Sequence, residues 1–258
     1  MRATIYLDVS YTEKDEVKTL GAKWDSEVKK WFFSGEVREF SKFTRWIKAT
    51  LIVYECFHII EASRICFKCK KKTRVIGFGI GEHSHIEEDD DDNIIVSNPT
   101  DYSEMDSEIY LAWTDDEKNI PPLLLKHIQN TYSVKTGYSR IAGNSFSNHC
   151  DHCGTIQGNW HLFDEDSPLN TMTPDETTLV RRMADLKIYN IYIDSALAVN
   201  WDVRYCSNDW AYQEYCNNFV DLDLTGDDDY ISYHEMYQLQ THSKVKTQIK
   251  IKNNSHPG

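Results

Sequence analysis

The chain has 258 residues, of which 40% are hydrophobic and 12% aromatic, enough for one large domain or two small ones around a sizeable core. Nothing behind Met1 reads as a signal segment, and no run approaches the roughly 18 apolar residues of a membrane span, which points to a soluble, cytoplasmic protein with no membrane association and with reduced thiols. The net charge of −13 is unevenly spread: residues 1–75 hold 16 Lys and Arg against 10 Asp and Glu, and residues 76–258 hold 12 against 31. A basic head can therefore approach phosphates, whereas the acidic body repels polyanions and attracts a basic protein partner.

Residues 4–8 alternate as a short strand. Thr12 then fits the N-cap of a helix over about 13–20, with Glu13, Asp15 and Glu16 in its first turn and Gly21 at its stop. A turn around Trp24-Asp25-Ser26 leads to a second strand, Lys30-Trp31-Phe32-Phe33, after which Phe40, Phe43, Trp46 and Ile47 recur at helical spacing. The expected role of Trp24 and Trp31 is core packing, with exposed base-stacking as the alternative.

Residues Ile5 to Val9, Glu13 to Glu16, Leu20-Gly21-Ala22-Lys23-Trp24-Asp25 and Lys29 to Phe32 resemble a small bacterial domain of unassigned function. That domain is found at the ends of plasmid- and phage-borne proteins, DNA primases among them. The resemblance covers about residues 3–47 and supplies no catalytic residues, but it implies the company of DNA-processing enzymes.

Residues 50–62 read as one long strand, or two, leading into a first Cys-x-x-Cys at Cys66 and Cys69. Lys68, Lys70, Lys71, Lys72 and Arg74 surround this knuckle and form a candidate contact for nucleic acid or a protein partner. Gly77, Gly79 and Gly81 lack the following helix of a dinucleotide loop and suggest a turn or bulge. Six consecutive acids, Glu87 to Asp92, mark residues 82–107 as an acidic excursion from the body. A strand over 109–113 and a helix opened by Pro121-Pro122 follow.

The second Cys-x-x-Cys, Cys150 and Cys153, is flanked by His149 and His152. Two such pairs can close a structural, tetrahedral zinc site, leaving open whether a histidine replaces one thiolate. The segment from Tyr138 to Trp160, together with Cys66 to Cys69, is also similar to uncharacterised bacterial zinc-ribbon-like proteins, which supports joining the two pairs. Cys56, Cys206 and Cys216 are read as small packed residues.

Thr173-Pro174-Asp175-Glu176 predicts a helix over about 174–187, with Thr173 as N-cap. Asp221, Asp223, Thr225, Asp227 and Asp229 match part of a calcium loop, but the twelfth position is Ser232 rather than Glu. Alternation on both sides favours a β-hairpin with an acidic turn, so calcium is the lesser reading.

No serine-hydrolase, phosphate-loop or zinc-protease motif occurs, and the expectation is a protein that is not an enzyme. The whole reads as an α+β protein: a small αβ domain over 1–48 and a zinc-clasped, strand-rich body over 49–258. Two functions fit. One is a binding module of a bacterial mobile element or defence system that contacts nucleic acid or a nucleic-acid-processing protein. The other is an acidic, immunity-type inhibitor of a basic nuclease or toxin.

Overall fold

The computed structural model describes residues 1–88, 94–97, 109–141, 143–159, 163–173, 175–226, 230–237 and 248–250. The alternating start forms β1 (Arg2–Leu7), followed by helix α1 (Lys14–Thr19), β2 (Lys23–Asp25) and β3 (Lys30–Glu36) in an antiparallel sheet of order β1-β3-β2. The helical segment begins two residues earlier than Thr12 predicts, with Ser10 as its cap. Glu13 reaches back to accept from the Ser10 N–H at 3.4 Å and hydroxyl at 2.5 Å, and a 3₁₀ turn, Tyr11–Glu13, precedes α1.

The next helix, Val37–Trp46, is 3₁₀ throughout. Its buried residues Val37, Phe40, Phe43 and Trp46 recur every third position, the period at which a 3₁₀ helix keeps one face inward. Such helices are normally short, and burial of this aromatic row supports the extra length.

The apolar run from residue 50 divides. β4 (Leu51–Val53) and β5 (Cys56–Ile65) are separated by Glu55 at φ 55°, which sends them into different sheets. Next come β6 (Lys72–Ile80), β7 (His83–Glu88), β8 (Ile94–Ser97) and β9 (Tyr110–Trp113). Helix α2 (Pro122–Thr131) starts on proline as expected, and β10 (Val134–Ser139) pairs with β11 (Gly143–Asn148). The remaining elements are α3 (Glu176–Ala184), β12 (Lys187–Tyr192), β13 (Leu197–Val199), β14 (Asp202–Arg204), α4 (Ala211–Tyr215), β15 (Phe219–Asp223), α5 (Tyr233–Tyr237) and β16 (Gln248–Lys250).

Seven strands form the main sheet in the order β14-β9-β6-β5-β12-β15-β16, antiparallel except for β12 with β15. Four more form an antiparallel sheet in the order β13-β4-β7-β8. The architecture is α+β.

Several expectations are corrected here. The first 48 residues supply most of one buried cluster, in which Ile5, Phe33, Phe40 and Phe43 are joined by Ile52 of β4, by Tyr54 just beyond that strand and by Ala196. Ile86 and Val96 pack against the same cluster, so β7 and β8 belong to the sheet that supports the N-terminal unit rather than to an excursion. Residues 89–93 and 98–107 of that proposed excursion lie outside the described residues. Trp24 is 53% exposed and meets Trp31 edge-on rather than entering the core.

Helix α3 is capped by Asp175, which accepts from the Thr178 N–H at 2.8 Å, and ends at Ala184, so it is shorter than 174–187. The hairpin expected around residues 220–234 is absent among the described residues. β15 pairs with β12 and β16, and a capping box between Ser232 and Glu235 starts α5 instead. Alternating Tyr230, Ser232 and His234 was coincidence; Ser-x-x-Glu was the stronger local signal.

Gly77 and Gly79 occupy neither turn nor bulge but lie within β6, where side chains from the adjoining chain segments, those of β5 and around β9 among them, come too close for a further side chain. A Cβ on Gly79 would lie 2.9 Å from Ile109 Cγ2, 3.0 Å from Ile60 Cδ1 and 3.1 Å from His58 Cβ. Gly79→Ala should therefore cost about 1–3 kcal/mol through overpacking, read as a lower urea midpoint with an unchanged m-value. An unchanged midpoint would show that the neighbouring side chains can give way freely.

Candidate metal centre

The two Cys-x-x-Cys segments build the same turn. In the first, at the tip of the β5–β6 hairpin, the Lys70 N–H donates to the Cys66 carbonyl and the Cys66 N–H to the Lys71 carbonyl, both at 2.9 Å. In the second, the Gly154 N–H donates to the Cys150 carbonyl and the Cys150 N–H to the Thr155 carbonyl, again at 2.9 Å. Lys70 at φ 62° and Gly154 at φ 67° take the same left-handed conformation, easy for glycine and costly for lysine. Each turn aims its two thiols outward at the other pair.

The four sulfur ligand atoms of Cys66, Cys69, Cys150 and Cys153 all lie within 4.8 Å of one another. Cys66 Sγ is 3.8 Å from Cys153 Sγ, and Cys69 Sγ is 3.6 Å from Cys150 Sγ. A tetrahedron with metal–sulfur bonds of ~2.3 Å has edges of about 3.8 Å, so the tetrad fits a tetrahedral, thiophilic metal ion. Backbone N–H groups, Cys69 first and then Lys68, bring the Cys66 thiol down to about 6, while burial and the neighbouring thiols push Cys69 up to about 11, so the sulfurs share their titration unevenly. Gln157 Nε2 reaches Cys66 Sγ at 3.5 Å, and the His152 N–H reaches Cys150 Sγ at 3.4 Å, so polar hydrogens surround the sulfur cluster.

Neither flanking histidine joins the tetrad. His149 is buried, with Nδ1 on the Ser147 carbonyl at 2.9 Å, and His152 Nε2 meets the Lys72 carbonyl at 2.8 Å. That second contact is part of a dock between the knuckles. Asp151 Oδ2 accepts from the Arg74 N–H at 3.0 Å, and Asp151 Oδ1 accepts from the Ser133 hydroxyl at 2.8 Å. Asn148 pairs with β6 as a strand would: Oδ1 accepts from the Ile76 N–H and Nδ2 donates to the Ile76 carbonyl, each at 2.8 Å. The residue types gave no sign of this dock beyond their nearness to Cys150.

Lys68, Lys70, Lys71 and Lys72 are exposed on the hairpin tip, beside Phe67 at 55% and Ile65 at 59% exposure. Arg74 stands apart from them. Its guanidinium pairs with Asp151 at 3.5 Å, donates to the Thr131 carbonyl at 3.1 Å and lies over the Tyr132 ring, which makes it part of the dock.

Of the candidate calcium residues, the described ones are engaged within the protein, with the Thr225 hydroxyl donating to Asp223 Oδ1 at 3.0 Å. Asp221 accepts from Asn190 Nδ2 at 3.0 Å, and Asp223 Oδ1 accepts from the Thr225 and Gly226 N–H groups at 2.8 Å in a tight turn. Asp227 and Asp229 lie outside the described residues. Glu235, the other acid that a longer loop could use, is engaged in the cap of α5. Among the described residues, the four cysteines are the one metal-sized cluster of His, Cys, Asp and Glu.

Residues 4–48 match the model of a family described as Domain of unknown function (DUF5710). No curated protein and no solved structure matches the chain. No helix among the described residues is long and apolar enough to cross a membrane.

Two substitutions separate the metal from the dock. Cys150→Ser should lower bound metal from one ion per chain towards none, measured by elemental analysis, with faster amide exchange at both knuckles. Asn148→Ala should keep the metal while destabilising the fold by about 2 kcal/mol, because the Ile76 peptide groups lose both partners.

Proposed function

We propose that the protein is a non-catalytic binding module whose structural zinc ion holds the β5–β6 tip rigid, and that this tip contacts single-stranded nucleic acid. The reading rests on one observation: Phe67 stands exposed between the paired cysteines, with four exposed lysines around it. An aromatic face with lysines at its margin offers stacking to a base and counter-charge to the adjoining phosphates. Four thiolates leave no coordination position for substrate or water, which supports a structural role for the ion. The resemblance of residues 3–47 to a domain found with DNA-processing proteins agrees with a place in a bacterial mobile element or defence system.

The acidic body, −19 over residues 76–258, opposes long polyanionic contacts and favours a short footprint at the tip. Cellular location follows the same reading: reduced thiolates suit the cytoplasm.

Gel-shift titrations with a short single strand should give micromolar binding at low salt. Lys70→Glu, Lys71→Glu and Lys72→Glu together should abolish it, and neutralising the three lysines should reduce the salt slope by about 2. Phe67→Ala should weaken binding by about 1–3 kcal/mol with the salt slope kept. Absence of binding at low salt would overturn the proposal. Capture of a basic protein, lost on neutralising Asp227 to Asp229 but not on reversing the lysines, would move the interface to the acidic body as an immunity-type inhibitor.

A further inference from the structure

The four sulfurs of the candidate metal centre are paired across the knuckles. Cys153 is exposed, and its Sγ lies 3.8 Å from that of Cys66, which is buried. Cys69 is half-buried, and its Sγ lies 3.6 Å from that of Cys150, which is buried. Each pair thus joins a sulfur that solvent reaches to one that it does not, and each links the β5–β6 tip to the second segment. The other three thiols are placed differently. Those of Cys56, Cys206 and Cys216 each meet an oxygen: the Phe57 carbonyl at 3.5 Å, Asn170 Oδ1 at 3.7 Å and the Leu186 carbonyl at 3.6 Å.

An accessible thiol with a second thiol poised beside it is the arrangement of a peroxide-sensing cysteine. From it we infer that the tetrad is also a thiol–disulfide switch, which hydrogen peroxide closes as two bonds, Cys66–Cys153 and Cys69–Cys150. In the first, Cys153 Sγ attacks the peroxide and the O–O bond breaks; one oxygen stays as a sulfenic acid and the other leaves as water. Cys66 Sγ then displaces the hydroxyl as a second water, so two thiols and one hydrogen peroxide become one disulfide and two waters. Closing 3.8 Å to a bond of ~2.05 Å asks the two sulfurs to approach by about 1.7 Å. Asn148, Asp151 and His152 hold the segments in register while this happens. The inference deepens the structural-zinc reading and rests on it for the reduced state alone, since the sulfur pairing belongs to the fold. In the oxidised chain two covalent bonds span the same gap, so the tip stays tied to the second segment and Phe67 keeps an ordered backbone.

Hydrogen peroxide added to the metal-loaded full chain, followed by alkylation of free thiols and peptide mass mapping, tests this inference. The expected result is two disulfides, Cys66–Cys153 and Cys69–Cys150, with Cys56, Cys206 and Cys216 still alkylated. Dithiothreitol should return all seven thiols. Bound metal in the same samples should fall from one ion per chain towards none as the disulfides form. Cys153→Ser should slow the loss of the Cys66 thiol tenfold or more. Should that variant fail to fold, judged by circular dichroism, the wild-type map still decides. Bonds within one knuckle, sulfinic or sulfonic acid in place of disulfide, or four unchanged thiols at millimolar peroxide each overturn the inference. A chain that holds no metal beforehand, yet forms the two bonds across the knuckles, would count against the zinc reading and not against this one.

Discussion

Four cysteine sulfurs at 3.6–3.8 Å cannot all carry charge without a cation among them. Each pair of unit charges near 4 Å repels by about 4 kcal/mol at an effective dielectric of 20, and a tetrad contains several such pairs. A bound divalent ion turns that repulsion into attraction and ties the hairpin tip to a segment some eighty residues further on. Closing so long a loop costs chain entropy, but the cost rises only slowly with length. The dock then adds direction to the clasp. Asn148 extends the β6 hydrogen-bond pattern, Asp151 gathers Arg74 and Ser133, and His152 meets the Lys72 carbonyl.

This arrangement decides what the hairpin can present. Near its base, β5 and β6 are buried on both faces within the seven-stranded sheet; near the tip their burial alternates and then ends. A two-stranded ribbon projecting alone is marginally stable. The knuckle turns and the docked second segment hold this one, which lets Ile65, Phe67 and the lysines stay exposed on an ordered backbone. Arg74 looks like a fifth member of the basic cluster in the sequence, but although it is exposed, its ion pair and its place over Tyr132 engage it in the dock.

The N-terminal unit depends on the body in a different way. Its three strands and its 3₁₀ helix expose an aromatic row too large for 48 residues to cover, and Ile52, Tyr54 and Ala196 complete the cluster. On another side, Tyr233 of α5 stacks on Tyr6 with ring centroids 4.1 Å apart, and Lys30 lies over Tyr233. A family boundary near residue 48 is thus a boundary of sequence similarity and not of the hydrophobic core.

The cysteine pairs were legible because zinc-knuckle spacing is chemistry written in adjacent residues; so were β1, β3, β9 and α2, whose patterns or proline starts are local. Where the sequence misled, a tertiary partner outweighed a local pattern. β7 and β8 joined a sheet although acids follow them, and of the one-strand and two-strand readings of residues 50–62 the second held, because Glu55 turns the chain from one sheet to the other. The glycines of β6 answered to side chains on other elements. His149 and His152 could not be told from ligands until their carbonyl partners were in view. By itself the sequence determined the α+β class, the four cysteines of the candidate metal centre and the charge asymmetry, since these follow from residue type and short-range spacing. Only the tertiary structure decided which nitrogens stay out of the tetrad, which basic residue is engaged by the dock and where the N-terminal core ends, because each depends on contacts between segments distant in the chain.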